Sequence, residues 1–100
     1  METKESILNE WMQQLQVEKS ELEKEKNRLT HEVNVRQFKS QVLNGTSLRF
    51  DSAVKEFVEK NEQTVQSIYT TIGELQAKIK DLATIENIVE VTLLGLKGKL

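Results

Sequence analysis

Few side chains in this sequence are of the types that carry acid–base, nucleophilic or metal chemistry. The 100 residues include a single histidine, His31, and no cysteine. One imidazole supplies neither a histidine pair for proton transfer nor two histidine ligands for zinc, and a chain without thiols has no cysteine nucleophile. Carboxylates between Glu18 and Glu32 alternate with basic residues, which is typical of a solvated helix with ion pairs. The sequence therefore predicts no enzyme, no catalytic residue, no metal site, no cofactor and no small-molecule substrate.

The charge balance argues against nucleic acid as a partner, and the hydropathy argues against a membrane span. Lysine and arginine number 14 against 16 acidic residues, for a net charge of -2, so no basic field is available to hold nucleic acid. Only Lys4 is basic ahead of Leu8, whereas DNA-binding basic zippers carry a dense basic region before their first leucine. No apolar run approaches the roughly 18 residues that span a bilayer, and no signal peptide is expected. We expect an intracellular protein, cytoplasmic or nuclear.

The elements that position these residues are predicted to be two long helices, because the chain contains no proline and only 4 glycines. In the first half, leucines recur every seven residues, the spacing of a leucine zipper. They occupy heptad position d, and position a holds two lysines, Lys19 and Lys26, which we expect to lean toward Glu18 and Glu25 at position g. The predicted apolar seam of helix 1 comprises Leu8, Met12, Leu15, Leu22, Leu29 and Val33.

A second heptad pattern occupies the second half of the chain. Its two mismatches are Asn61 at position d and Glu86 at position a. Buried at d, Asn61 is predicted to fix helix register through a hydrogen bond across a dimer axis; the alternative places it near a bundle end, where water reaches it. The apolar residues of both helices are assigned to an oligomerisation seam, which in helix 2 comprises Val54, Val58, Val65, Ile68, Ile72, Leu75, Ile79, Leu82, Val89 and Leu93.

A cluster of turn-forming residues, Asn44 to Ser47, separates the two patterns. It predicts a helical hairpin; the alternative is one coiled coil interrupted there, since the d positions Leu43 and Val54 lie 11 residues apart, a spacing that local unwinding absorbs. We predict one elongated coiled-coil domain over residues 1–100. Within it, we predict helix 1 over about 3–43, a break over 44–51, helix 2 over about 52–94, and a frayed tail over 95–100. The last dozen residues also alternate as a strand would.

Helix 2 carries a wider apolar stripe than a two-stranded seam requires, through Phe50, Phe57, Tyr69 and Ile85. An isolated hairpin would leave this stripe in water, so we predict a homodimer of hairpins forming a four-helix bundle. A two-stranded coiled-coil dimer and a complex with another helical protein are the alternatives. Trp11 is predicted either to enlarge the apolar face or to anchor a partner. The functional hypothesis is a non-enzymatic scaffold or tether; the alternative is a binding chaperone for helical clients of secretion or assembly.

Overall fold

The protein, described over residues 3–98 in a computed structural model, consists of two long α-helices. Helix α1 spans Lys4–Asn44 and helix α2 spans Ser52–Leu96. The prediction of an all-α fold of two long helices joined as a hairpin is confirmed. Over residues 3–98 there is no strand, so the strand alternative for the C-terminal residues is wrong. Part of the predicted tail, Lys99 and Leu100, lies outside the described residues, as do Met1 and Glu2.

Polar side chains cap the start of each helix. The Thr3 hydroxyl accepts a hydrogen bond from the Ser6 amide at 3.0 Å at the start of α1. At the start of α2, the Asp51 carboxylate accepts one from the Ala53 amide at 2.9 Å. These oxygens satisfy amides that have no partner inside the helix. Asp51 is therefore the N-cap residue of α2.

The connection between the helices, residues 45–51, is a run of tight turns. The Gly45 amide donates to the Gln41 carbonyl at 3.0 Å, and the Thr46 hydroxyl donates to the Leu43 carbonyl at 2.8 Å.

Residue Gly98 follows the end of α2 and has φ of +70°, the left-handed conformation that often ends a helix. Helix α2 therefore runs two residues beyond the predicted end at Leu94 before the chain turns.

Contacts between residues divide the chain into two compact units. The hairpin unit comprises Lys26–Glu74, and the terminal unit comprises Met1–Glu25 and Leu75–Leu100. The hairpin unit contains the connection and the helix segments on either side of it. Its buried apolar side chains are Leu29, Val33, Val65 and Ile68.

The terminal unit pairs the first part of α1 with the last part of α2. Its core is a cluster of Leu15, Val89 and Leu93, and Val89 is only 1% exposed. The two segments run antiparallel, because Lys19 contacts Glu86 while Glu5 approaches Lys97. Partly buried residues pack against this cluster: Leu8, Met12, Leu82 and Ile85.

Candidate interaction surfaces

The predicted seam residues are all at least partly buried in the single chain. Half of them are buried, namely Leu15, Leu29, Val33, Val65, Ile68, Leu75, Val89 and Leu93. The others are half-buried, namely Leu8, Met12, Leu22, Val54, Val58, Ile72, Ile79 and Leu82. The sequence identified the buried face of each helix, but a heptad does not say whether the same chain or another one covers that face. The part these residues play in oligomerisation stays a prediction.

Asn61 forms a polar layer in the hairpin unit, and its partners belong to α1 of the same chain. Its side chain is 6% exposed. The Nδ2 group donates to the Arg36 carbonyl at 2.6 Å and to the Ser40 hydroxyl at 2.7 Å, and the Arg36 guanidinium donates to Oδ1 at 3.3 Å. Glu32 accepts two further hydrogen bonds from Arg36. Asn61 is thus buried and bonded as a register-fixing residue would be, but within one hairpin rather than across a dimer axis.

Two charged residues at position a, Lys19 and Glu86, contact each other in the terminal unit. The Lys19 ammonium lies 2.6 Å from Oε1 of Glu86, an oxygen that is withdrawn from solvent. The prediction that Lys19 leans toward Glu18 and Glu25 is therefore wrong, since an acid on the facing helix is nearer. A carboxylate oxygen that is withdrawn from solvent needs a counter-charge, and Lys19 supplies it.

This contact changes the proton affinity of the lysine. The hydrogen bond to Glu86 raises the pKa of Lys19 above its ordinary value of 10.5, and the negative charges of Glu86 and Glu23 act in the same direction. Burial acts in the opposite direction and is outweighed. Both side chains remain partly exposed, at 29% for Lys19 and 16% for Glu86, so water screens part of the attraction.

An apolar groove opens on one flank of the hairpin unit, and we call it the aromatic groove. It has a volume of about 600 Å³ and is lined by both helices. Phe38 and Phe57 stand on its two sides and are 64% and 48% exposed. The lining residues are Phe38, Lys39, Val42 and Leu43 of α1 and Ala53, Val54 and Phe57 of α2. Lys39 is thus the one charged residue among them.

The same pair of helix segments leaves a second, smaller depression whose lining is mostly polar. Its volume is about 360 Å³, and it shares no lining residue with the aromatic groove. Gln37, which contributes to it, donates a hydrogen bond to the Tyr69 hydroxyl at 3.2 Å. The hairpin unit therefore has one flank suited to apolar contacts and one suited to water.

The terminal unit also presents apolar side chains to solvent. Trp11 is 44% exposed, Ile7 is 48% exposed and Ile88 is 59% exposed. Trp11 therefore lies at the surface, and its role as a partner anchor stays a prediction. Ile85, assigned from the sequence to the wide stripe of α2, is instead half-buried against the terminal core.

Chemistry-bearing residues are dispersed along the helices. His31 is exposed on α1. Over residues 3–98, no three His, Cys, Asp or Glu side chains come together as metal ligands would. In that same part of the chain, neither helix has an apolar stretch that is long enough to cross a bilayer. The surface features that stand out are therefore apolar ones.

Comparisons with protein-family models, with curated proteins and with solved structures gave no match to this chain.

Proposed function

We propose that this protein is a non-enzymatic helical scaffold or tether that oligomerises and positions partner proteins in a larger assembly inside the cell. The observation that carries the proposal is that large apolar side chains outside the predicted seam are exposed to solvent. Half of the predicted seam residues are buried within the chain, whereas Phe38 and Phe50 stay 64% and 69% exposed. Exposed apolar area forgoes roughly 25 cal/mol per Å², so covering two such rings favours association by several kcal/mol.

The helices themselves supply the mechanical property that a tether needs. Helix α1 has 41 residues and α2 has 45, which at about 1.5 Å per residue gives lengths of roughly 60 and 70 Å. Each helix is tied to its neighbour by specific contacts, namely the Asn61 layer in the hairpin unit and the Lys19–Glu86 pair in the terminal unit. Such contacts favour one register over others, and a fixed register fixes the spacing of whatever binds to the surface.

The aromatic groove also supports a second candidate, a binding chaperone for helical clients. A groove lined by two helices with Phe38 and Phe57 on its sides has the form that accepts an amphipathic helix. In this case the exposed rings are a client site, and the free protein associates weakly with itself. The scaffold and the chaperone therefore differ in what covers the same apolar area.

Sedimentation equilibrium of the full chain over a wide concentration range, with circular dichroism in increasing urea, tests the proposal. The scaffold predicts a constant mass of at least twice 11.5 kDa, and loss of mass and helix together in urea. The chaperone predicts a monomer or loose oligomer that gains helical signal with a 20-residue amphipathic peptide of leucine and lysine. A protein that is monomeric at every concentration and gains no helical signal with the peptide would contradict both the scaffold and the chaperone.

A further inference from the structure

The aromatic groove has the area and the charge distribution of a contact between two copies of this chain. Phe38, Phe50 and Phe57 are 64%, 69% and 48% exposed. At about 200 Å² for each phenylalanine side chain, the three present roughly 360 Å² of apolar surface. Val42 and Leu48 in the same part of the hairpin unit are 51% and 65% exposed. All five residues lie between positions 38 and 57, on or between the helix segments that line the groove.

This area is close to what one side of a stable interface provides. A standard interface covers about 800 Å² on each partner, a little over half of it apolar, which is roughly 450 Å². The three rings with Val42 and Leu48 reach that share without help from any other surface of the chain. Exposed apolar patches of several hundred Å² on a monomer commonly mark a site of association.

The charges near the groove favour a second copy over a partner of a single charge sign. Lys39 lines the groove, and Lys55 lies 5.6 Å from the centre of the Phe50 ring. Asp51 and Glu56 stand in the same short stretch of sequence, and Glu56 also contacts Lys60 of its own helix at 2.8 Å. A second copy carries the same mixture of charges, so a two-fold contact brings both signs from each side. An entirely acidic or basic partner would leave half of these charges opposed.

The connection between the two helix segments that line the groove carries a further exposed ring. Phe50 is 69% exposed and is not among the lining residues. The Arg49 guanidinium lies 4.8 Å from the centre of its ring, which restrains the ring through a cation–π contact. In a two-fold contact, a projection on each copy fills the groove of the other.

We propose that two copies of this chain pack through their aromatic grooves about a two-fold axis, with Phe50 of each copy entering the groove of the other. This inference rests on the proposed function, because it names the surface through which the scaffold oligomerises. It assigns the contact to the hairpin unit and leaves the apolar side chains of the terminal unit outside the interface.

Matched surface variants separate this inference from the proposed function. The test variant carries Phe38→Ser and Phe57→Ser; the control carries Ile7→Ser and Ile88→Ser, which remove exposed apolar residues of the terminal unit instead. Circular dichroism checks that both retain the helical content of the parent. We expect the test pair to raise the dissociation constant of the dimer at least 100-fold in sedimentation equilibrium, and the control pair to change it less than 5-fold.

Each other outcome of this comparison overturns a definite statement. A parent chain that is monomeric at all concentrations overturns both the dimer and the oligomerising scaffold. A parent dimer that is lost in the control and kept in the test variant overturns the groove contact alone. The parent chain could also be monomeric and bind the leucine and lysine peptide in the groove, with binding lost in the Phe38→Ser and Phe57→Ser variant. That result assigns the groove to a partner helix and overturns the proposal that a second copy occupies it.

Cysteine cross-linking tests the proposed contact directly, because the chain has no cysteine of its own. In the proposed two-fold contact, the segment around Phe50 of one copy lies against the groove of the other, and only residues on the axis itself meet their own counterpart. Tagged chains carrying Leu48→Cys, mixed with untagged chains carrying Ala53→Cys on the groove, should form a disulfide-linked mixed dimer under mild oxidation. The same mixture with Gln66→Cys, on the polar depression of the same helix, should give no mixed dimer on a denaturing gel. Equal cross-linking at both positions, or cross-linking at Gln66→Cys alone, would show that the groove does not face its own copy.

Discussion

Replacing Asn61 with alanine tests whether the polar layer of the hairpin unit holds the two helices together. The change removes three hydrogen bonds to α1, two donated by Nδ2 and one accepted by Oδ1. At about 1 kcal/mol each, their loss costs roughly 3 kcal/mol, and the better helix propensity of alanine returns about 0.5 kcal/mol. We therefore expect Asn61→Ala to lower the free energy of unfolding by about 2 to 3 kcal/mol.

Urea unfolding followed by circular dichroism at fixed protein concentration measures this loss. With a slope near 1 kcal/mol per molar urea, which is usual for a small domain, the midpoint should fall by about 2 M. Thr70→Ala is the matched control, because its exposed hydroxyl bonds only to the Gln66 carbonyl of its own helix. We expect the free energy of unfolding of the control to stay within about 0.5 kcal/mol of the parent. Equal effects of the two substitutions would refute the claim that Asn61 stabilises the helix pair.

Three further predictions follow from the terminal unit and the glycines. Because the hydrogen bond to Glu86 raises the pKa of Lys19 above 10.5, the contribution of this pair to stability is complete below that pH and is lost as the pH rises through the folded-state pKa. The double variant Lys19→Met with Glu86→Leu should therefore lose less stability than the parent between pH 9 and pH 12 in thermal melts. The same pH dependence in parent and variant would contradict the pairing. Gly73→Ala should raise the free energy of unfolding by about 0.5 to 1 kcal/mol, since an added Cβ meets no atom within 4 Å in the middle of α2; a loss in urea unfolding would show that another surface approaches there. Gly45→Ala should change the free energy of unfolding by less than about 1 kcal/mol, because two effects oppose each other. Gly45 does not adopt a left-handed conformation, so alanine fits its backbone, but the new Cβ would lie 3.3 Å from the Gln41 carbonyl oxygen, which is a tight contact. A larger change in urea unfolding would contradict this conformation.

The sequence predicted an apolar stripe along each helix, and several residues of that stripe are buried in the structure. Leu15 and Leu29 at position d, and Val65 and Leu93 at position a, all lie in the interior of their units. The turn residues near Asn44 also predicted where the first helix ends. Both features are local, since they depend on side-chain spacing and backbone propensity along a single segment.

The pairing of the two helices could not be read from the heptads alone. Lys19, Glu86 and Asn61 each looked like a flaw in its own helix, and only the packing shows what each of them contacts. The opposite charges of Lys19 and Glu86, both at position a in different helices, were the available signal that these helices face each other. In the antiparallel pairing within the chain, these two charged residues at apolar positions form one ion pair.

The aromatic groove was only half visible in the sequence. The sequence places Phe57 outside the seam as part of a wide apolar stripe. It gives Phe38 no role, because Phe38 falls on the outer face of α1, where an apolar residue has no role in a two-stranded coiled coil. Val35, Phe38 and Val42 are spaced three and four residues apart, a pattern that marks a second apolar stripe on one helix. That spacing was the signal that would have found the groove.

Spin-label distance measurement between residues 5 and 97 tests most directly whether α1 and α2 of one chain pack against each other. The variant carries Glu5→Cys and Lys97→Cys, at side chains that approach to 3.8 Å in the parent, and labelled chains are diluted into excess unlabelled chain so that only distances within a chain are recorded. The helix pair predicts a narrow distribution below about 30 Å, allowing for the two label linkers on neighbouring helices roughly 10 Å apart. A chain that runs as one extended coiled coil would separate the two labels by roughly 140 Å at about 1.5 Å per residue, and the absence of any short distance would contradict the fold on which the proposed assembly depends.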